Sequence, residues 1–226
     1  MFLGHYGVAL GAKRLAPKTS LGTLILAAQL ADLLWPILLL LGIEHVRIVH
    51  AQVPTLNLDF VSYPITHSLL TGILGGLLLG TLYSLLRKGK DMRGAFVVAA
   101  LVPSHWILDF LVHVPDLPLW PGGPRVGLGL WRSLPWTLVV EAFFLIAGLV
   151  IYLRTTRAKD GVGNYALWSL VVLLVTAYLG ALVGPAPRNT QALAYSALIL
   201  WLLVPWAYWI DRHRTLRNPG IDATSA

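Results

Sequence analysis

The stretch "GAFVVAALVPSHWILDFLVHV", residues Gly94–Val114, decides the fold. At 1.5 Å of rise per residue it is long enough to cross the roughly 30 Å hydrocarbon core of a bilayer. Its apolar residues surround the helix instead of forming the single stripe of a surface helix in a water-soluble domain. Yet it carries His105, Asp109 and His113, spaced four apart, so two imidazoles and a carboxylate stack along one drifting face.

Five more apolar runs surround it: Leu21–Leu41, Ile65–Leu86, Leu134–Leu153, Ala166–Val183 and Ala192–Ile210. Across the 226 residues 57% are hydrophobic and 12% charged, more apolar surface than a water-soluble domain of this length needs to bury. The connecting loops are too short for a second domain. The expected fold is all-α, a polytopic membrane helix bundle of about six transmembrane helices with a short N-terminal half-membrane helix. One integral domain is expected over residues 1–212, with 213–226 as a disordered cytoplasmic tail ending in "GIDATSA". There is no internal repeat, and none of the inverted symmetry common in secondary transporters.

The net charge of +7 belongs to topology. Alternate loops divide unequally. One set holds Lys13, Arg14, Lys18, Arg87, Lys88, Lys90, Arg93, Arg154, Arg157, Lys159, Arg212, Arg214 and Arg217; the other holds Arg47, Arg125, Arg132 and Arg188. This is the positive-inside pattern, with both chain ends on the cytoplasmic side of a bacterial inner membrane. The basic excess favours anionic lipid, and no nucleic-acid partner is needed to account for it. The absence of cysteine excludes disulfides, thiolate metal ligands and cysteine nucleophiles. The apolar run after Lys18 is too long for a cleavable signal and contains Asp32.

The opening "MFLGHYGVALGA" is apolar but too short to cross. Two readings stand: residues 2–12 re-enter the bundle as a half-membrane helix, or they lie as an amphipathic helix on the inner surface. In the second span Ser68, Gly72, Gly76 and Gly80 recur every four residues, a stripe for close helix packing. Trp120, Trp131 and Trp136 at the outer boundary, with Trp206 and Trp209 at the inner one, read as an aromatic belt.

Ionisable groups in hydrocarbon cost about 2.5–3.5 kcal/mol each on the lenient scales. The first four spans nevertheless hold Asp32, His67, His105, Asp109 and Glu141, while the last two hold none and read as scaffold. Counting helix rise from the cytoplasmic ends puts Asp32 and His105 about 17 Å deep, Glu141 about 18 Å, Asp109 about 23 Å and His67 about 28 Å. If residues 2–12 re-enter, His5 lies about 12 Å above Lys13. Pro36, four residues after Asp32, is expected to kink its helix, and Pro103 to break the third span before His105.

Imidazole plus carboxylate without thiolate suits a divalent metal: zinc, or manganese or iron, as one or two ions. His105 and Asp109, at i and i+4, can both reach one metal or a close pair. His67 would join from a neighbouring helix, with Thr66 and Ser68 as groups that orient its ring. Asp32 could bridge two metals. Glu141 is a further ligand or the base that activates water at the metal, and His113 joins it as a candidate catalytic group.

Four segments, "GHYGVALGAKRLAP", "AAQLADLLWP", "YPITHSLL" and "SHWILDFLVHVPDLPL", resemble the bacterial inner-membrane family of membrane-bound metal-dependent hydrolases. The resemblance covers residues 1 to about 120 and extends towards "GLGLW" (Gly127–Trp131) and Glu141. It implies that His5, Asp32, His67, His105 and Asp109 ligate metal, and it favours re-entry of residues 2–12. More distantly the order of these residues is similar to the helical multi-zinc phospholipase C and single-strand nuclease fold. The family often shows Asp-x-Asp after the first span; here Asp32 is followed by Leu33 and Leu34, which removes one carboxylate.

The leading expectation is therefore a metal-dependent hydrolase in the bilayer, acting on a phosphoester of a lipid or lipid-linked substrate, with Arg47, Arg125 and Arg132 placed to steer an anionic headgroup or to serve as ordinary interfacial residues. Two other classes compete. One is a proton-coupled transporter or channel in which Asp32, His105, Asp109 and Glu141 form a relay. The other is a structural membrane protein whose polar residues pair with one another.

Overall fold

The computed structural model describes residues 1–49 and 51–217. Among these the chain is an all-α bundle with three short two-stranded ribbons at its ends. The helices are α1 (Leu3–Leu15), α2 (Leu21–Ala28), α3 (Leu30–Leu40), α4 (Leu69–Leu86), α5 (Met92–Val112), α6 (Leu134–Thr155), α7 (Gly161–Val183), α8 (Thr190–Ala197) and α9 (Leu203–Arg212). Antiparallel ribbons pair β1 (His45–Ile48) with β2 (Leu58–Ser62), β3 (Leu117–Pro118) with β4 (Arg125–Val126), and β5 (Thr156–Ala158) with β6 (Arg214–Leu216).

Five helical stretches are long and apolar enough to cross a membrane: α4, α5, α6, α7 and the run Thr190–Arg212; α2 and α3, bent by 55°, pass the same test together and make a sixth if the pair is one broken span instead of a re-entrant loop. The bundle is apolar outside as well as inside. Leu78, Phe96 and Phe143 project outward, as expected where hydrocarbon and not water is the solvent.

The first helix lies inside the bundle. His5, Tyr6, Ala9 and Leu10 are all buried, which excludes an arrangement on the surface. Its close approach to α6 depends on missing side chains: a Cβ on Gly148 would land on the Gly7 carbonyl, and one on Gly7 would land on the Phe144 carbonyl. The predicted stripe on α4 works the same way. Gly76 and Gly80 are buried against α5, and a Cβ on Gly80 would lie 2.7 Å from the Ala99 Cβ.

Both proline expectations are corrected. The bend in the first span falls at Gln29, three residues before Asp32, and Pro36 sits inside α3. Pro103 lies inside an unbroken α5, where its ring fits the groove left by Gly76. The second span starts later than its hydropathy indicates: Ser68 caps α4 by accepting from the Thr71 amide, so His67 stands in the preceding loop.

The loops of the basic set meet at one end. Lys13 pairs with Asp211, Tyr83 donates to Asp91, and β5 pairs with β6. Order therefore continues through Leu216, into the segment expected to be a tail; residues 218–226 lie outside the described residues. At the other end Trp120 and Trp136 are exposed as a belt requires, but Trp131 turns inward, its ring 3.9 Å from that of His113.

Candidate metal centre

Three histidines are held alike. The chain break at Gln29 presents the Ala28 carbonyl to His105, whose Nδ1 donates to it at 2.8 Å. A carbonyl only accepts, so His105 carries its proton on Nδ1 and keeps a lone pair on Nε2. For His67 the partner is Thr66 Oγ1, 2.7 Å from Nδ1. That hydroxyl gives its own proton to Glu44 Oε2 at 2.7 Å, so it must accept from the ring, and His67 Nε2 is again a free acceptor. For His113 the partner is the Asp116 carboxylate, 2.9 Å from Nδ1. Asp116 also accepts from Tyr63 at 2.9 Å. Burial, with the nearby Asp116 carboxylate, pushes the Tyr63 phenol above its ordinary range, so it stays a donor.

These lone pairs converge on carboxylates. Asp109 Oδ2 lies 3.2 Å from His105 Nε2, 3.8 Å from His67 Nε2 and 4.0 Å from His113 Nε2. Asp32 Oδ1 lies 3.5 Å from His67 Nε2 and 3.6 Å from His105 Nε2. Around one ion with bonds of about 2.1 Å, tetrahedral donors stand about 3.4 Å apart. The four distances joining His67 and His105 to Asp32 and Asp109 run from 3.2 to 3.8 Å, near that spacing. Acceptors facing acceptors in a buried site require positive charge among them, as metal or as protons. His105 Nε2 makes no hydrogen bond among the described residues.

His5 completes a second group. Its ring stacks on His105 at 3.6 Å between centroids and 9° between planes, and its Nε2 lies 3.1 Å from Asp109 Oδ1. His5, His105 and Asp109 form one candidate ligand set, and Asp32, His67 and His105 another. Asp109 turns one oxygen to each side, so the carboxylate placed to bridge is Asp109, where the spacing had offered Asp32. His5 differs from His67, His105 and His113 in that its Nδ1 has no hydrogen-bond partner among the described residues. The Met1 amine also lies against Asp109 Oδ1.

Glu141 has a different place. Its Oε1 accepts from the Phe2 amide at 2.7 Å and its Oε2 from the Gly4 amide at 2.8 Å. It caps the buried start of α1, where the first amides have no partner within the helix and the dipole favours negative charge. Each oxygen holds one amide and keeps a further lone pair, and Glu141 also lines the cavity beside the donors.

A cavity of about 330 Å³ opens beside the donors. Asp32, His67, Asp109 and His113 line its polar end; Trp35, Phe60, Trp131, Tyr178, Leu182 and Leu193 are among its apolar walls. The last two spans are thus more than scaffold, since α7 and α8 supply wall residues. Ala177 and Ala181 of α7 line the cavity and are solvent-accessible, and loop residues Pro54, Thr55, Asn57, Ala186 and Pro187 line it as well. Arg47, Arg125 and Arg132 do not line it. Arg47 pairs across the ribbon with Asp59, and Arg125 donates to the Val61 carbonyl.

Sequence reasoning missed Glu44 and Asp116. Glu44 stands in a loop with no motif around it. Asp116 had a local signal, an Asp three residues after His113 in "HVPD", where a turn can fold the carboxylate back onto the ring. No protein-family model, curated protein or solved structure matches the chain.

Proposed function

We propose that the protein is a membrane-embedded, metal-dependent hydrolase that acts on a phosphoester of a lipid or lipid-linked substrate in a bacterial inner membrane, with the basic end of the bundle in the cytoplasm. The observation that carries this reading is the convergence of Nε2 lone pairs on the oxygens of Asp32 and Asp109, each imidazole fixed from behind by an acceptor on its Nδ1. Such backing is the usual support of a metal-binding histidine. The resemblance to membrane-bound metal-dependent hydrolases points the same way. His67, His105, Asp32 and Asp109 would hold the ion, with His5 available for a second, and zinc suits the set best, ahead of manganese or iron. When bound, such an ion polarises a phosphoryl oxygen and makes a water acidic enough to attack at neutral pH.

The chain's own part follows from the geometry. His113, held by Asp116 and facing the cavity, would take and return a proton, with Glu141 also on the cavity wall. The apolar walls exclude water and accept the hydrocarbon part of an amphiphile. An amphiphilic substrate would reach these walls from the membrane.

The test is metal analysis of the purified protein together with turnover of a short-chain phospholipid analogue. Wild type should carry stoichiometric divalent metal. His105→Ala should lose both metal and turnover, and His113→Ala should keep metal but lose turnover. Wild-type protein purified without metal and inert after zinc loading would sink the reading.

A further inference from the structure

At the opposite end of the bundle the basic loops enclose a second polar pocket, of about 220 Å³, lined by Lys13, Lys18, Thr156, Asp211, Arg214 and Thr215. Three cations face one carboxylate there, and that carboxylate is already engaged. Asp211 accepts from Lys13 Nζ on both oxygens, at 3.0 and 2.9 Å, and its Oδ2 accepts from the Leu21 amide at 3.2 Å.

Arg214 is the informative residue. It is only 5% exposed. Its Nε donates to Thr156 Oγ1 at 3.1 Å, its Nη1 to the Gly163 carbonyl at 2.9 Å and its Nη2 to the Thr156 carbonyl at 3.3 Å. All three acceptors are neutral. Among the described residues neither Arg214 nor Lys18 has a carboxylate oxygen within 4.0 Å. Its Cζ lies 5.4 Å from the centre of the Tyr152 ring, Asp211 acts on it only from beyond ion-pair distance, and the donors of its rigid fork not used by Thr156 and Gly163 can meet the oxygens of a phosphate. Thr156 and Thr215 add hydroxyls to the lining.

We propose that this pocket binds a phosphate-bearing anion, held by Arg214 and Lys18 with Lys13 behind them. The anion comes from the headgroup of an anionic lipid or from free phosphate. The position favours the lipid: the pocket lies where the basic loops gather, and Leu216, partly exposed, gives its wall an apolar margin for an acyl chain. The site shares no lining residue with the cavity beside the histidines and does not depend on the metal reading.

The experiment uses the full chain in nanodiscs of phosphatidylcholine, with or without phosphatidylglycerol, and in detergent with added inorganic phosphate. It reads bound lipid by native mass spectrometry and stability by thermal shift. Phosphatidylglycerol should remain bound to wild type and raise its melting temperature. Lys18→Glu, at an exposed position where folding is not at stake, should weaken retention about thirtyfold, on a scale of roughly fivefold per unit charge at a membrane surface. Arg214→Gln should abolish it. Stabilisation by inorganic phosphate alone would identify free phosphate as the source; stabilisation by phosphatidylglycerol alone would identify the lipid. An equal loss with Lys90→Glu, the same charge change outside the pocket, would overturn the proposal by showing only a general surface charge. So would wild type that responds to neither probe.

Discussion

Thr66→Val tests how the site is held together. The substitution keeps the shape of the side chain and removes one hydroxyl. That hydroxyl is the only partner of His67 Nδ1, and its proton is the only hydrogen bond recorded to Glu44 Oε2 among the described residues. Glu44 Oε1 keeps the Ile65 and Thr66 amides, each at 2.9 Å, so the loop should still close. His67 and Glu44 are 4% and 1% exposed, so water cannot readily replace what is lost. An imidazole N–H and a carboxylate oxygen left bare cost about 1–3 kcal/mol each. For metal affinity, loss of a group backing a ligand typically costs 10–100-fold, about 1.4–2.7 kcal/mol. The assay is competition for zinc against a chromophoric chelator, with a thermal melt of the metal-free protein to separate folding from binding. Thr66→Ser should bind nearly as wild type, because it keeps the hydroxyl. Unchanged affinity in Thr66→Val, or equal loss in both variants, would refute the Glu44–Thr66–His67 chain as the device that orients the ring.

Glu141→Ala should lower stability by about 3 kcal/mol, since one buried and one partly buried amide lose hydrogen bonds to a charged acceptor. A denaturant melt in detergent measures this, and metal bound through Asp32, His67 and Asp109 should survive it. Gly148→Ala should cost about 1–3 kcal/mol or more by forcing α1 away from α6, while Gly180→Ala, with nothing within 4 Å of its new methyl, should be neutral; parallel melts compare them. Reporters at Lys90 and Arg217 should both read cytoplasm and one at Gly122 the outer side, and an external Lys90 would overturn the assignment of sides.

The spans were legible because a bilayer demands long apolar runs and leaves no room for ambiguity of period. The clustering of His5, Asp32, His67, His105 and Asp109 was legible because ionisable groups at similar depth in hydrocarbon have few places to go but towards one another. What failed was local geometry. Proline marked the wrong bends, since a ring can be absorbed where the neighbouring helix presents glycine, as Gly76 does to Pro103. The turn at Gln29 carried no breaker residue. The cavity walls escaped notice because Tyr178, Leu182 and Leu193 are indistinguishable in sequence from residues that merely face lipid; only packing separates them.

The buried polar residues divide by what remains unsatisfied, and that division locates function better than polarity does. Glu44, Asp116 and Glu141 are carboxylates in an apolar protein, yet each accepts from named donors: amides and a hydroxyl for Glu44, a phenol and an imidazole for Asp116, two amides for Glu141. Their charge is used where it stands. Asp32 and Asp109 instead face nitrogen lone pairs on His67 and His105 that cannot donate to them in the tautomers their backing groups dictate. The satisfied carboxylates hold the unsatisfied set in place. Glu44 aims His67, Asp116 aims His113, and Glu141 pins the amides of Phe2 and Gly4, the residues just before His5. Glu44, Asp116 and Glu141 thus have defined donors, while the lone pairs of His67 and His105 face Asp32 and Asp109, with the Met1 amine also against Asp109, and that is where a divalent cation could be held.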